Sequence, residues 1–248
     1  MDKTKPLIED GQLERKATSG AEVVPLRIDA AVGAGPVSAL LRRPPAADLL
    51  YVLAHGAGAG MDHPFLESIA RALSGVGVAT LRYQFPYMEE GRRRPDPPRV
   101  AQATVRAAVA SATRAASGLP LIAGGKSFGG RMTSQASAEE PLSGVRGLVF
   151  LGFPLHPPNR PSDARAAHLE ALQLPMLFLQ GTRDDFAERR LLEAVCQRLG
   201  SRATLHLVDD ADHSFKVPKR GGRSTEDVIR ELAGEIATWA KKIVRSEW

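Results

Sequence analysis

The 248-residue chain is 43% hydrophobic and 25% charged, a balance that excludes a disordered or low-complexity protein and suits one large α/β core. Lys and Arg (33) exceed Asp and Glu (28), giving a net charge of +5, but the arginines are scattered apart from Arg92, Arg93 and Arg94, and aromatics reach only 5%, so no nucleic-acid partner is expected. The lone cysteine, Cys196, excludes an intramolecular disulfide, and no apolar run approaches the ~18 residues of a membrane helix.

In chain order, residues 1–22 read as a polar tail. The opening MDKTKPLIEDGQLERK lacks the apolar stretch of a secretion signal, so a cytoplasmic protein with one domain over 23–248 is expected. VVPLRID (23–29) and PVSALLRRP (36–44) predict two edge strands joined by AAVGAG as a hairpin. Six further strands are predicted at LLYVLA (49–54), VATLRY (78–83), LPLIAG (119–124), GLVFLGF (147–153), PMLFLQ (175–180) and ATLHLV (203–208). Most of these runs are continuously apolar rather than alternating, which is how parallel strands buried on both faces read. Helical periodicity falls between them, over 64–74, 99–117, 128–139, 187–199 and 225–245. The pattern predicts an α/β fold with a mostly parallel sheet of about eight strands and helices on both faces. Loops are expected at 85–98 and 153–165, and the interval from Phe153 to Pro175 has room for one short helix around 164–171 but for no large cap.

The segment GGKSFGG, residues 124–130, admits two chemistries. A phosphate-cradling P-loop needs G-x-x-x-x-G-K-[ST], yet Pro120 stands where the first glycine belongs and a strand runs almost into the serine, leaving no loop to wrap a phosphate. The alternative, G-x-S-x-G between a strand and a helix, makes Ser127 a nucleophile on a sharp turn. Such a serine needs a base and a group that orients the base, following in the order Ser, Asp or Glu, His, each just after a strand. GTRDDF follows the strand at 175–180 and DDADHSF the strand at 203–208, which nominates Asp184, with Asp185 as its alternative, and His213. Among the other histidines, His206 falls inside a strand, His63 precedes a helix, and His156 and His168 belong to the Pro-rich loop region. An oxyanion requires two preorganised N–H donors. The Phe128 amide, next after the nucleophile, is one candidate; the small-residue loop His55-Gly56-Ala57-Gly58-Ala59-Gly60 offers Ala57 first and Gly58 second.

The ordered motifs HGAGAG, GKSFG, GTRD and DADH resemble the α/β-hydrolase superfamily over roughly residues 23–245. The sequence is most similar to its small bacterial dienelactone-hydrolase-like branch, through GGKSFGGRM, FPLHPP and QGTRD. The resemblance implies an α/β-hydrolase fold, Ser127 as nucleophile, His213 as general base and acid, and Asp184 as its orienting partner, with neither metal nor other cofactor. Dienelactone hydrolases carry a cysteine nucleophile where this chain has Ser127, so an ester or other activated acyl substrate replaces dienelactone as the expectation. His55, Tyr87, Met88, Leu155 and His156 lie beyond strand ends and are candidates for the substrate-binding wall. Lys126 and Arg131 flank the nucleophile and either tune its field or pair with Glu139, Glu140 or Asp212. The expected function is a serine esterase or thioesterase acting on a small soluble substrate; the alternative is a non-catalytic binding or scaffold protein on the same fold.

Overall fold

The structure, a computed structural model, describes residues 20–30, 35–218 and 221–245. Eight strands, β1 (Glu22–Asp29), β2 (Pro36–Arg43), β3 (Leu49–Ala54), β4 (Val78–Tyr83), β5 (Leu121–Lys126), β6 (Val145–Leu151), β7 (Met176–Gly181) and β8 (Ala203–Val208), form one sheet in the order β1-β2-β4-β3-β5-β6-β7-β8. β1 and β2 pair antiparallel, as do β2 and β4; all other neighbours are parallel. The helices are α1 (Pro64–Gly75), α2 (Pro86–Glu89), α3 (Pro98–Ala115), α4 (Phe128–Glu139), α5 (Arg189–Leu199) and α6 (Thr225–Arg245), with a 3₁₀ segment over Ala164–Ala171.

Alternation along β3 explains the two layers of helix. Leu49, Tyr51 and Leu53 point to the face covered by α1 and α6, where Leu66, Ile69, Leu73, Leu232 and Ile236 meet them. Leu50, Val52 and Ala54 point to the other face, against Val105 and Ala108 of α3 and Met132 of α4. Every residue of β3, β4 and β7 is buried, which is why these strands read as continuous apolar runs.

Several element limits differ from expectation for local reasons. β5 begins two residues later because Pro120 has no N–H for the ladder and only its carbonyl is used, accepting from the Leu50 amide at 3.0 Å. It then runs on through Gly124 and Gly125 to Lys126. β6 occupies 145–151 rather than 147–153, because Gly152 turns the chain with φ 71°. α5 starts at Arg189, since the turn after Asp184 consumes Ala187. The expected loop 85–98 contains the one-turn α2. Most of the expected tail, residues 1–19, and most of the hairpin turn, residues 31–34, lie outside the described residues. The connection between β6 and β7 holds only loop and the 3₁₀ segment, so no large cap covers the sheet.

Candidate active site

The site is built at the C-terminal ends of the parallel strands. β5 ends at Lys126 and α4 starts at Phe128, so Ser127 alone makes the turn, with φ 49° and ψ −113°. A non-glycine residue there costs about 1–3 kcal/mol and persists only when its surroundings hold it. They do so here: the Ser127 amide donates to the Leu151 carbonyl at 3.1 Å, and the Ser127 carbonyl accepts from the Arg131 amide at 3.1 Å. The glycines permit the crossing. A Cβ on Gly125 would collide with the Ala54 carbonyl, and one on Gly129 would stand 2.5 Å from the His55 carbonyl oxygen.

The loops after β7 and β8 bring Asp184 and His213 to the same place. His213 Nε2 lies 2.9 Å from Ser127 Oγ, and His213 Nδ1 lies 2.7 Å from Asp184 Oδ2. An ionised carboxylate only accepts, so Nδ1 carries the proton and Nε2 is left as acceptor for the Ser127 hydroxyl. The Asp184 side chain is fully buried and held by two more donors, Gln180 Nε2 to Oδ2 at 2.5 Å and the Phe186 amide to Oδ1 at 2.8 Å. Asp185, the alternative, is exposed. Phe186 lies against the His213 ring, centroids 4.4 Å apart.

On the opposite side of Ser127 the loop after β3 is fastened by neutral groups. His55 is fully buried; its Nδ1–H donates to the Gly56 carbonyl at 2.8 Å and its Nε2 accepts from the Phe85 amide at 3.1 Å. Burial pushes His55 down to about 4, so it is neutral at physiological pH. The Gly58 amide already donates to Tyr87 Oη at 2.8 Å, whereas exposed Ala57 lines the cavity in front of Ser127. The Phe128 amide is the first of α4 and has no acceptor within the helix.

The cavity encloses about 310 Å³ and opens to solvent. Ser127 and His213 meet Phe65, Leu66, Phe186 and the small residues of the 56–59 loop there. The expected substrate wall needs correction. His55, Tyr87, Leu155 and His156 are all buried and none lines the cavity. His156 Nδ1–H donates to the Pro157 carbonyl and its Nε2 accepts from the Glu188 amide, which fastens the 153–160 loop to the start of α5. Tyr87 is turned inward by α2. Met88 is half-buried beside Gly60, also away from the cavity. The residues missed, Phe65, Leu66, Phe186 and Ser214, stand within a few positions of the recognised motifs, and that adjacency was the available signal. Glu139 and Glu140 pair with Arg106, so they leave Lys126 and Arg131 to their own surroundings.

The sequence profile of the alpha/beta hydrolase domain matches residues 47–241. The chain belongs to the alpha/beta-hydrolase family. Among solved structures, this hydrolase is similar to a dienelactone hydrolase from Anabaena variabilis, at 20% identity and TM-score 0.70, covering 90% of this chain and 98% of that one. A serine hydrolase without a lid from Xanthomonas campestris aligns at 20% identity and TM-score 0.68, over 88% and 95% of the two chains. The esterase domain of a Rhodothermus marinus protein aligns at 16% identity and TM-score 0.68, over 90% and 99%. These likenesses establish a dienelactone-hydrolase-like fold for this hydrolase. Among its described residues no cluster of three or more His, Cys, Asp or Glu gathers to hold a metal, and no helix is long and apolar enough to cross a membrane.

Proposed function

We propose that this protein is a serine hydrolase that cleaves an ester or thioester of a small soluble substrate. The observation that carries the reading is the pair of hydrogen bonds linking Ser127 Oγ, His213 and buried Asp184 at the edge of an open cavity. Ser127 Oγ attacks the acyl carbonyl as its proton passes to His213 Nε2, and the tetrahedral oxyanion lies between the Phe128 and Ala57 amides. Collapse breaks the bond to the leaving group, which takes the proton from His213, and leaves an acyl-Ser127 ester. Water then gives a proton to His213 and attacks that ester; the acid departs and Ser127 recovers its proton. Asp184 holds Nδ1–H throughout. A cavity of about 310 Å³ is near the small end of ligand sites, which supports a small substrate. The Xanthomonas and Rhodothermus proteins, described as a serine hydrolase and an esterase domain, support the same chemistry.

The test is labelling with a fluorophosphonate probe and mass spectrometry of the modified peptide, beside S127A. Labelling confined to Ser127 and lost in S127A is expected. A folded wild-type protein that stays unlabelled would overturn the reading in favour of a non-catalytic scaffold.

A further inference from the structure

Lys126 ends β5, one residue before the elbow, and is half-buried at the wall of the cavity that Ser127 and His213 also line. Its Nζ is buried and has no hydrogen-bond partner among the described residues. Its place is fixed by Gly152 at the end of β6. The position a Cβ on Gly152 would occupy is 3.1 Å from Lys126 Nζ, 3.4 Å from His213 Nδ1 and 3.5 Å from Asp184 Oδ2. The ammonium thus shares one small space with the two groups that handle the proton. The Phe215 ring centroid lies 5.6 Å from Nζ, which bridges the loop carrying His213. Burial pushes the Lys126 ammonium down to about 8, while the charges of Asp184 and Asp212 hold it up.

An unpaired buried ammonium is expensive, and a methionine would fill the same volume without that cost. The charge is therefore explained by what it does to its neighbours. We infer that Lys126 is a positioning residue for the Asp184–His213 pair, its charge keeping His213 free to accept the Ser127 proton at lower pH than it otherwise would. This rests on the serine-hydrolase reading above. A cation beside the imidazole opposes uptake of a proton from solvent and favours the Asp184 carboxylate. Of the other titratable groups around this space, Asp212 is occupied by the Ser214 and Lys216 amides, and His63 lines the same cavity as Lys126 and His213. Both side chains are present in every variant, and K126R, which keeps the cation facing them, separates the loss of charge from any other effect of the substitution.

The experiment measures the rate of Ser127 labelling by a fluorophosphonate across pH in wild type, K126M, K126Q and K126R, and the titration of the His213 ring by NMR in the same proteins. In K126M and K126Q labelling falls about tenfold at about pH 5.5 and stays within about twofold at about pH 9.5, where Lys126 is itself neutral. The His213 titration moves up by about one pH unit, and K126R restores both readouts. A loss of equal size at every pH means that Lys126 only fills space, and an unmoved His213 titration means that its charge does not reach the pair; either overturns the inference. Wild type unlabelled at every pH with the His213 titration still moved would sink the serine-hydrolase reading and leave the coupling standing.

Discussion

His55 and His213 stand on opposite sides of Ser127 and illustrate how surroundings divide one residue type into two uses. His55 spends both ring nitrogens on backbone, the Gly56 carbonyl and the Phe85 amide, and is sealed from solvent. His213 spends both on side chains, Asp184 and Ser127, and its ring stands at the cavity. Backbone partners cannot change their protonation, so the His55 side is a fixed frame; the His213 side gathers three side chains that can carry charge, Lys126, Asp184 and His213, around one small space. On the proposed mechanism, aim comes from the first and proton transfer from the second. Substitutions on the two sides should differ in kind: loss of chemistry that depends on pH on one, loss of stability or aim on the other.

The largest effect belongs to Asp184. An asparagine there can donate to His213 Nδ1, which turns the ring to the tautomer with its proton on Nε2, facing Ser127. D184N is expected to lower kcat for a responsive ester by about 10⁴-fold, while D185N, at an exposed position, changes it by less than about twofold. Equal effects in the two variants would break the assignment of the acid side.

How far this division can be read from the sequence varies by residue. β3, β4 and β8 have the limits their apolar runs suggest, because turn residues bound those runs on both sides. β5 does not, since Pro120 counts as apolar but cannot donate to the ladder, and Gly125 and Lys126, beyond the apolar run, read as the turn although they are in the strand. Ser127, Asp184 and His213 could be nominated because each follows a strand, a feature written in local order. The cavity wall could not be read in that way. Tyr87 and His156 both lie beyond strand ends, and their inward direction depends on distant partners: Gly58 for Tyr87, Glu188 for His156. Lys126 could be noticed as a neighbour of the nucleophile, but not the burial of its ammonium, since a charged residue in a sequence suggests solvent and its closeness to Gly152 depends on how β5 packs beside β6.

The frame side should show itself in acid. His55 is a base whose folded value, about 4, lies below its unfolded value near 6.5, so the unfolded chain takes up its proton first as pH falls. Its contribution is full above about pH 6.5 and is lost progressively towards pH 4, by about 3 kcal/mol for a shift of that size. Urea unfolding followed across this range should show the decline in wild type and a flatter curve in H55Q, whose side chain takes no proton. His168, lowered to about 4 by burial and then by Arg131, retains its share in the variant, so the curve flattens without becoming level. A decline equally steep in H55Q would place the acid sensitivity elsewhere.

The smallest effect, and the one that discriminates most finely, is expected from Y87F. Tyr87 Oη accepts the Gly58 N–H, and the Tyr87 amide is itself held by Asp96 Oδ2 at 2.9 Å, so removing the hydroxyl frees the loop without moving the ring. Deleting an oxyanion donor outright costs about 10²–10³-fold, but here the Ala57 amide is only loosened, so kcat should fall by about tenfold or less with KM little changed. The loss should be uniform from about pH 6 to 9, because burial raises the Tyr87 phenol above its ordinary value and keeps it neutral throughout. The variant also releases the Gly58 amide. If Gly58 rather than Ala57 faces the oxyanion, the freed N–H becomes a better donor and kcat rises instead. The sign of the change therefore decides which of two adjacent amides completes the site, a distinction of one peptide unit that no deletion of a side chain at either residue could make.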